Sequence, residues 1–526
     1  MKKILNKINL IAIIIITIFA TVACSNNKSK NTDDTVNINP LPIPPILEDT
    51  NKDANVADFT IEAQYGKTKF IDNKETNTMG YNGNYLGPVM MVNKGEKVNL
   101  HVKNNLDEHT TFHLHGLELP GISDGGPHQK IAAGTTLDRS FTINQPSATL
   151  WYHPHFIGST ATQVYKGLAG LIYVNDDVAD KLNIPKEYGV NDIPLVIQDR
   201  TFDEDGQFKY DTRLMDGAIG DTIILNGAIS PTLDVNTQKV RFRILNGANA
   251  SNYTLSLSNK DAFFQIASDG GLLESPVKRD SIFISPGERV EVIVDFSKSK
   301  VGTKIELNNT DKNKDTKSII TFNVKNKVDD KTEIPDKLVT IDPLPKDKVS
   351  KKRNIELQGM GEMVNINGEK FDINKINFFG KQDEIEMWTI TNPSSKSNMN
   401  MDDNKDMNMD DNKDMNMDDN KDMNMNDSKD MNMNDSKDMN MKDMNMNDMD
   451  TVMGHPFHIH GTQFQIVSRN GQAPPPQEQG WKDTVYVNPD EEVKILVKFN
   501  NKGIYMYHCH ILEHEEAGMM GQIKID

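Results

Sequence analysis

His508-Cys509-His510-Ile511-Leu512-Glu513-His514-Glu515-Glu516-Ala517-Gly518-Met519 brings a thiol, three imidazoles and a thioether together near the C-terminus. A trigonal plane of two imidazoles and one thiolate with a long axial thioether is the donor set of a mononuclear redox copper site. Only two cysteines are present, Cys24 and Cys509. If Cys24 is consumed at an export signal, Cys509 has no intramolecular partner, and metal ligation explains why a lone thiol is kept in an oxidising compartment.

Ten of the thirteen histidines gather in four clusters: His113-Leu114-His115, His153-Pro154-His155, His455-Pro456-Phe457-His458-Ile459-His460, and the run above. On a strand, residues two apart share a face and sit ~7 Å apart, so each His-x-His pair aims two rings at one place. The pairs 113/115, 153/155, 458/460 and 508/510 supply eight imidazoles, enough for three metals sharing a dioxygen-sized space. Parity then separates a second site. Cys509 faces away from His508 and His510, His455 is an odd number of positions from His458, and His514 and Met519 follow on a loop or short helix. His455, Cys509, His514 and Met519 therefore form the mononuclear set, with Cys509 as the link that passes electrons to His508 and His510. His101, His109 and His128 fall outside the pattern and read as structural or solvent-exposed.

The rest of the chain reads as an all-β frame for these clusters. Its 526 residues exceed what one hydrophobic core organises. The excess of 76 Asp and Glu over 58 Lys and Arg argues against nucleic acid as a partner and for cations. Lys2 and Lys3, an apolar run from Ile8 to Ala20 and Thr21-Val22-Ala23-Cys24 predict an export signal, residues 1–24, in which Cys24 becomes a lipidated membrane anchor. Residues 25–54 form a polar and Pro-rich linker. Short alternating runs such as Phe59 to Ala63, Lys97 to Val102, Arg139 to Ile143 and Leu168 to Val174 then predict sandwich or barrel strands in a first domain, 55–180. A second domain, 181–325, holds no histidine, so its role is spatial. A polar connector, 326–350, leads to a third, 351–526.

An insert from 394 to 453 interrupts that third domain. The unit MNMDDNKD starts at Met399, Met407 and Met415, and MNMNDSKD at Met423 and Met431. With essentially no β-branched or aromatic residues to bury, such a stretch is expected to be disordered. It also holds sixteen of the chain's 27 methionines, and thioethers select Cu(I). Copper recruitment is the expected role. Met453 is the leading candidate for substrate-copper contact, followed by Asp450, Met446 and Met449.

These residues resemble the bacterial multicopper oxidases, in particular the copper-tolerance cuprous oxidase and laccase-like branch. The resemblance is carried by GYNGNYLGPVM (80–90), LHGLELPGISDGGP (114–127), ATLWYHPH (148–155), ASDGG (267–271) and HPFHIHGTQF (455–464). It implies three cupredoxin-like Greek-key domains, four copper ions, and a trinuclear cluster between the first and third domains. Type 1 copper would be held by His455, Cys509, His514 and Met519. Type 2 copper falls to His113 and His458, and the type 3 pair to His115, His153, His155, His460, His508 and His510. Asp124 and Glu515, by default a turn residue and a solvated charge, take proton-relay roles from the same resemblance. The chain departs from the family's pattern at Leu114, where Trp is usual, and in placing its Met-rich insert immediately before His455.

The expectation is an exported, lipid-anchored, monomeric oxidase that couples oxidation of Cu(I) to reduction of dioxygen. Within the class the alternative is a laccase or metallo-oxidase acting on phenols, Fe(II) or Mn(II). Outside it stands a non-catalytic Cu(I) store.

Overall fold

The computed structural model describes residues 39–211, 215–394 and 453–526. The export signal with Cys24, the Met-rich repeats, and Met446, Met449 and Asp450 lie outside the described residues. Among those residues the chain is all-β, as expected, and its six sheets form three cupredoxin-like sandwiches.

Alternation builds the outer sheets. In the strand Val56–Thr68, Ala57, Phe59, Ile61 and Ala63 turn inward between more exposed neighbours. They meet Val98, Leu100, Leu150 and Ile172 in the first core, between two four-stranded sheets. Seven- and five-stranded sheets enclose Ile193, Phe242, Leu255 and Phe322 in the second. Two five-stranded sheets enclose the third, around Trp388, Phe457, Phe464 and Tyr507, and this core also contains Cys509 and Met519.

Where sandwiches meet, alternation gives way to continuous burial, because both faces of a strand are covered. Every residue of Ala148–His153 and of Asp192–Arg200 is buried. Trp151, Leu171, Val196 and Leu245 form a separate apolar cluster joining the first two sandwiches.

The proline-rich stretch from Asn39 onward works as a strap. Leu41 N–H donates to Thr232 O at 2.8 Å and Leu47 N–H to Val89 O at 2.8 Å. The side chain of Leu41 enters the second core and that of Leu47 the first. The connector leading to the third sandwich is likewise tied down: Leu338 is buried with Ile266 and Leu273, and its N–H donates to Glu274 O at 2.8 Å. No helix among the described residues is long and apolar enough to cross a membrane.

Replacing Leu41 removes a buried anchor from the strap. Leu41→Ala is expected to cost ~2–4 kcal/mol in denaturant unfolding, whereas a loss below ~0.5 kcal/mol would show that the strap contributes no packing.

Candidate metal centres

Strand pairing brings the histidines together. Between His113–His115 and Ala148–His153, His113 lies opposite His153 and His115 opposite Trp151. Between His455–Ile459 and Gly503–Cys509, His458 lies opposite His508 and Phe457 opposite Cys509. Three of the four pairs begin on a strand and finish one or two residues beyond it, since the strands end at His153, Ile459 and Cys509. Period two therefore sets the first ring of each of these pairs, and the chain leaving the sheet sets the second.

Eight imidazoles converge where the first and third sandwiches meet. His113 stacks on His460 with ring centroids 3.8 Å apart, and His115 on His458 at 3.7 Å. Donor atoms of His113, His115 and His153 lie within 4.8 Å of one another, as do those of His113, His458 and His460, and of His155, His460 and His508. His510 lies 5.1 Å from His115 and 5.5 Å from His153, ring to ring.

The donor chemistry fits a cluster of cations. Burial, reinforced by the neighbouring imidazoles, holds His115, His153, His155, His458, His460 and His508 well below the usual imidazole range. Burial brings His510 down to about 3. These rings are therefore neutral at pH 7, the form that binds metal. Several Nδ1 atoms around the cluster are engaged outward: His113 donates to Asp124 O at 2.9 Å, His458 to Asp483 O at 2.8 Å and His508 to Cys509 O at 3.0 Å. What remains inside is bare. Nε2 of His113, His153 and His458, Nδ1 of His115 and both nitrogens of His510 have no hydrogen-bond partner. His508 Nε2 stands 3.2 Å from His155 Nε2 and 3.1 Å from His460 Nε2. Lone pairs converging this closely without donors are satisfied by positive charge placed between them.

The second constellation is separate. Cys509 Sγ lies 3.5 Å from His455 Nδ1 and 3.8 Å from His514 Nδ1. Met519 is fully buried beside them; its N–H donates to His514 O at 2.9 Å and its carbonyl accepts from Cys509 N–H at 3.1 Å. Burial lowers His455 to about 3 and pushes the Cys509 thiol up, so the thiolate a metal needs is favoured only when a cation compensates it. His514 rides on the short helix Leu512–Glu516. Its Nε2 donates to Met215 O at 3.1 Å, an oxygen that also accepts from Gly361 N–H at 2.9 Å.

Asp124 and Glu515 both reach the eight-histidine site. Asp124 Oδ2 lies 2.7 Å from His460 Nδ1 and 3.4 Å from His113 Nδ1. Glu515 stands between His155 and His508, 3.3 Å from Nδ1 of each. It is buried, which corrects its default reading as a solvated charge, and burial together with Glu516 and Glu513 raises its pKa well above the carboxylate range. Met453 lines a cleft beside His455, while His101, His109 and His128 lie elsewhere. His101 contacts Asp138, His109 packs on Phe156 and His128 bonds Gln522.

Sequence reasoning missed several residues. Asp483 accepts from His115 Nε2–H at 3.0 Å. Glu513 binds Tyr210, Asn249 and the Ala218 N–H, holding the segment that carries Met215 against the His514 helix. The available signal was a charge placed where a core strand begins, as in Lys482-Asp483-Thr484. Met215 and Met363 gave no signal of their own.

The multicopper oxidase family models match residues 62–179, 172–322 and 395–526. The chain is 40% identical to the multicopper oxidase mco of Staphylococcus epidermidis over 95% of each chain. It is similar in structure to a laccase from Pediococcus acidilactici, at 35% identity and a TM-score of 0.79 over 93% of this chain and 94% of that one. It is also similar to a metallo-oxidase from Campylobacter jejuni, at 27% identity and a TM-score of 0.73 over 93% and 95%. With all ten histidines, Cys509 and Met519 in the pattern described above, the chain belongs to the multicopper oxidase family, and it is an oxidoreductase that uses copper, dioxygen and a reducing substrate.

Proposed function

We propose that this enzyme is a cuprous oxidase serving copper tolerance, coupling oxidation of Cu(I) to Cu(II) to the four-electron reduction of dioxygen to water. The observation that carries the substrate is a pair of exposed thioethers at the edge of the mononuclear site. Met215, whose carbonyl holds His514 Nε2–H, is 47% exposed, and Met363 is 66% exposed. Gly361 joins them: a Cβ there would meet Met215 Sδ at 3.0 Å. Thioethers select Cu(I) over harder cations, and large apolar side chains left in water ask for a partner. The adjoining cleft, about 750 Å³, is lined by Met453, Asp216, Asp221, Asp311 and Asp315, and the formal charge of −18 favours cation approach.

In this reading four coppers occupy the two constellations. His455, Cys509, His514 and Met519 hold type 1, and His113 and His458 hold type 2. His115, His153, His155, His460, His508 and His510 hold the type 3 pair. Bound copper supplies one-electron acceptance at the Cys509 site and dioxygen reduction at the histidine cluster. The chain's own part is placement. Cys509 is covalently continuous with His508 and His510, which gives electrons a through-bond route between the sites. Asp124 and Glu515 stand where protons consumed by dioxygen reduction enter. The domain limits 55–180, 181–325 and 351–526, export, and membrane attachment through Cys24 complete the reading, with the Met repeats supplying copper from upstream of His455.

A second reading, oxidation of phenols, is favoured by Phe283, Tyr486 and Ile219 in the same cleft, a volume that admits an aromatic ring.

Three experiments test the proposal, the first of them separating the two substrate readings. Steady-state oxidation of Cu(I) beside a phenol, using wild type and the double variant Met215→Ala with Met363→Ala, should show KM for Cu(I) raised about tenfold, ~1.4 kcal/mol, with the phenol unaffected. Equal shifts on both substrates would remove the thioethers from substrate selection. Cys509→Ser should abolish the blue absorption and lower turnover by more than about 100-fold, beyond the usual cost of an outer-shell partner, while copper analysis still finds the histidine cluster filled. Asp124→Asn should slow reoxidation of the reduced enzyme and leave the blue absorption intact; unchanged reoxidation would exclude Asp124 from proton delivery. Many bound Cu(I) ions without dioxygen uptake would instead identify a copper store.

A further inference from the structure

The second sandwich has no histidine, yet it reaches the histidine cluster through one side chain. Arg289 starts the strand Arg289–Asp295 and is fully buried. Its Nε–H donates to Thr149 O at 3.0 Å. Nη1 donates to Gly287 O at 3.0 Å and to Asp483 Oδ1 at 2.7 Å, and Nη2 to Asp269 O at 3.0 Å and to Asp483 Oδ2 at 2.5 Å. All five guanidinium donors are thus used, two of them as a fork on the carboxylate of Asp483. That carboxylate, also fully buried, accepts from His115 Nε2–H at 3.0 Å through Oδ1 and from Gln463 Nε2 at 3.1 Å through Oδ2.

His115 is held differently from its neighbours. His113, His153 and His458 each donate through Nδ1 and leave Nε2 bare, whereas His115 meets Asp483 through Nε2 and leaves Nδ1 bare. A carboxylate only accepts, so the proton of His115 sits on Nε2 and the lone pair on Nδ1. The next residue makes room for the arrangement. A Cβ at Gly116, which has φ +90°, would come within 2.8 Å of Arg289 Nη2 and 2.7 Å of Asp483 Oδ2. A bare residue after His115 is therefore what lets the guanidinium from the second sandwich close on Asp483.

We propose that Arg289 is a positioning residue of the oxygen-reducing site: by fixing Asp483 it fixes the tautomer and orientation of His115, so that seating of the ligand-free second sandwich governs copper loading at the histidine cluster. The proposal rests on the reading of His115 as a copper ligand. Arg289 touches no reacting atom and reaches His115 through Asp483. Partners of this kind typically change metal affinity by about 10–100-fold when removed.

The test is a copper titration of Arg289→Met, Arg289→Lys and wild type against a competing chelator, read by copper analysis, blue absorption and electron paramagnetic resonance. Arg241→Met is the control, because Arg241 is also buried, lies in the same sheet and bonds Glu291. The expected result is that Arg289→Met keeps the mononuclear copper and its blue band while cluster copper is held about 10–100-fold more weakly. Arg289→Lys, able to bond one carboxylate oxygen, should lose less, and Arg241→Met should load as wild type. Wild-type loading of Arg289→Met overturns the proposal, as does an equal loss in Arg241→Met. Should Arg289→Met fail to fold, wild-type loading of Arg289→Lys overturns it in the same way. A wild-type enzyme that binds only the mononuclear copper overturns the oxidase reading as well, whereas full wild-type loading with an unchanged Arg289→Met overturns this inference alone.

Discussion

One antiparallel register carries both constellations. With Phe457 opposite Cys509 and His458 opposite His508, a single strand pair turns a thiol into the third core and imidazoles toward the first sandwich. Because side chains alternate with period two, a one-residue slip would exchange the two sets, placing histidines in the core and the thiol among the cluster rings. The pairing of His455–Ile459 with Thr484–Val487 on its other side, and of Gly503–Cys509 with Met520–Ile525, leaves no room for such a slip. Relative placement of the two sites is thus a property of backbone hydrogen bonding before any metal is bound.

Burial then decides the chemistry of what the register has placed. Desolvation keeps His115, His153, His155, His458, His460, His508 and His510 neutral, and the outward bonds of Nδ1 on His113, His153, His458 and His508 commit their Nε2 atoms to the interior. Buried groups in this state are costly when left alone. The surroundings compensate with fixed partners from all three sandwiches: Asp124 from the first, Arg289 and Asp269 from the second, Asp483 and Glu515 from the third. Lys482 extends the same pattern, reaching Asp269 Oδ2 at 2.8 Å and Glu288 Oε1 at 3.0 Å across the boundary between the second and third.

Much of this was legible in the sequence, for reasons particular to each element. Alternation in Phe59 to Ala63 or Lys97 to Val102 reports a strand because one face meets a core, and the His-x-His pairs report a shared face in the same way. The grouping of His455 with Cys509 followed from parity alone. What escaped was set by the approach of distant segments. Arg289 and Asp483 are separated by nearly two hundred positions and bear no periodic relation. Met215 gains its place only because Glu513 holds its segment against the His514 helix. The burial of Glu515 is equally invisible locally, since a carboxylate flanked by His514 and Glu516 looks like part of a solvated helix face.

The ends of the Met-rich stretch are held at neighbouring points of the third sandwich. Asn392 Nδ2 donates to Met453 O at 2.9 Å and to Val487 O at 3.2 Å, while Ser394 N–H donates to Asp490 Oδ1 at 2.8 Å. Chain leaves and re-enters the domain at one stapled mouth. Tandem octapeptides, three of MNMDDNKD and two of MNMNDSKD, are the kind of repeat that gains or loses whole copies. With both exits fixed, such copy-number changes leave the strand register and the two constellations where they are. The length of this segment is therefore free to drift on an evolutionary timescale, while the frame that carries the two constellations stays constant.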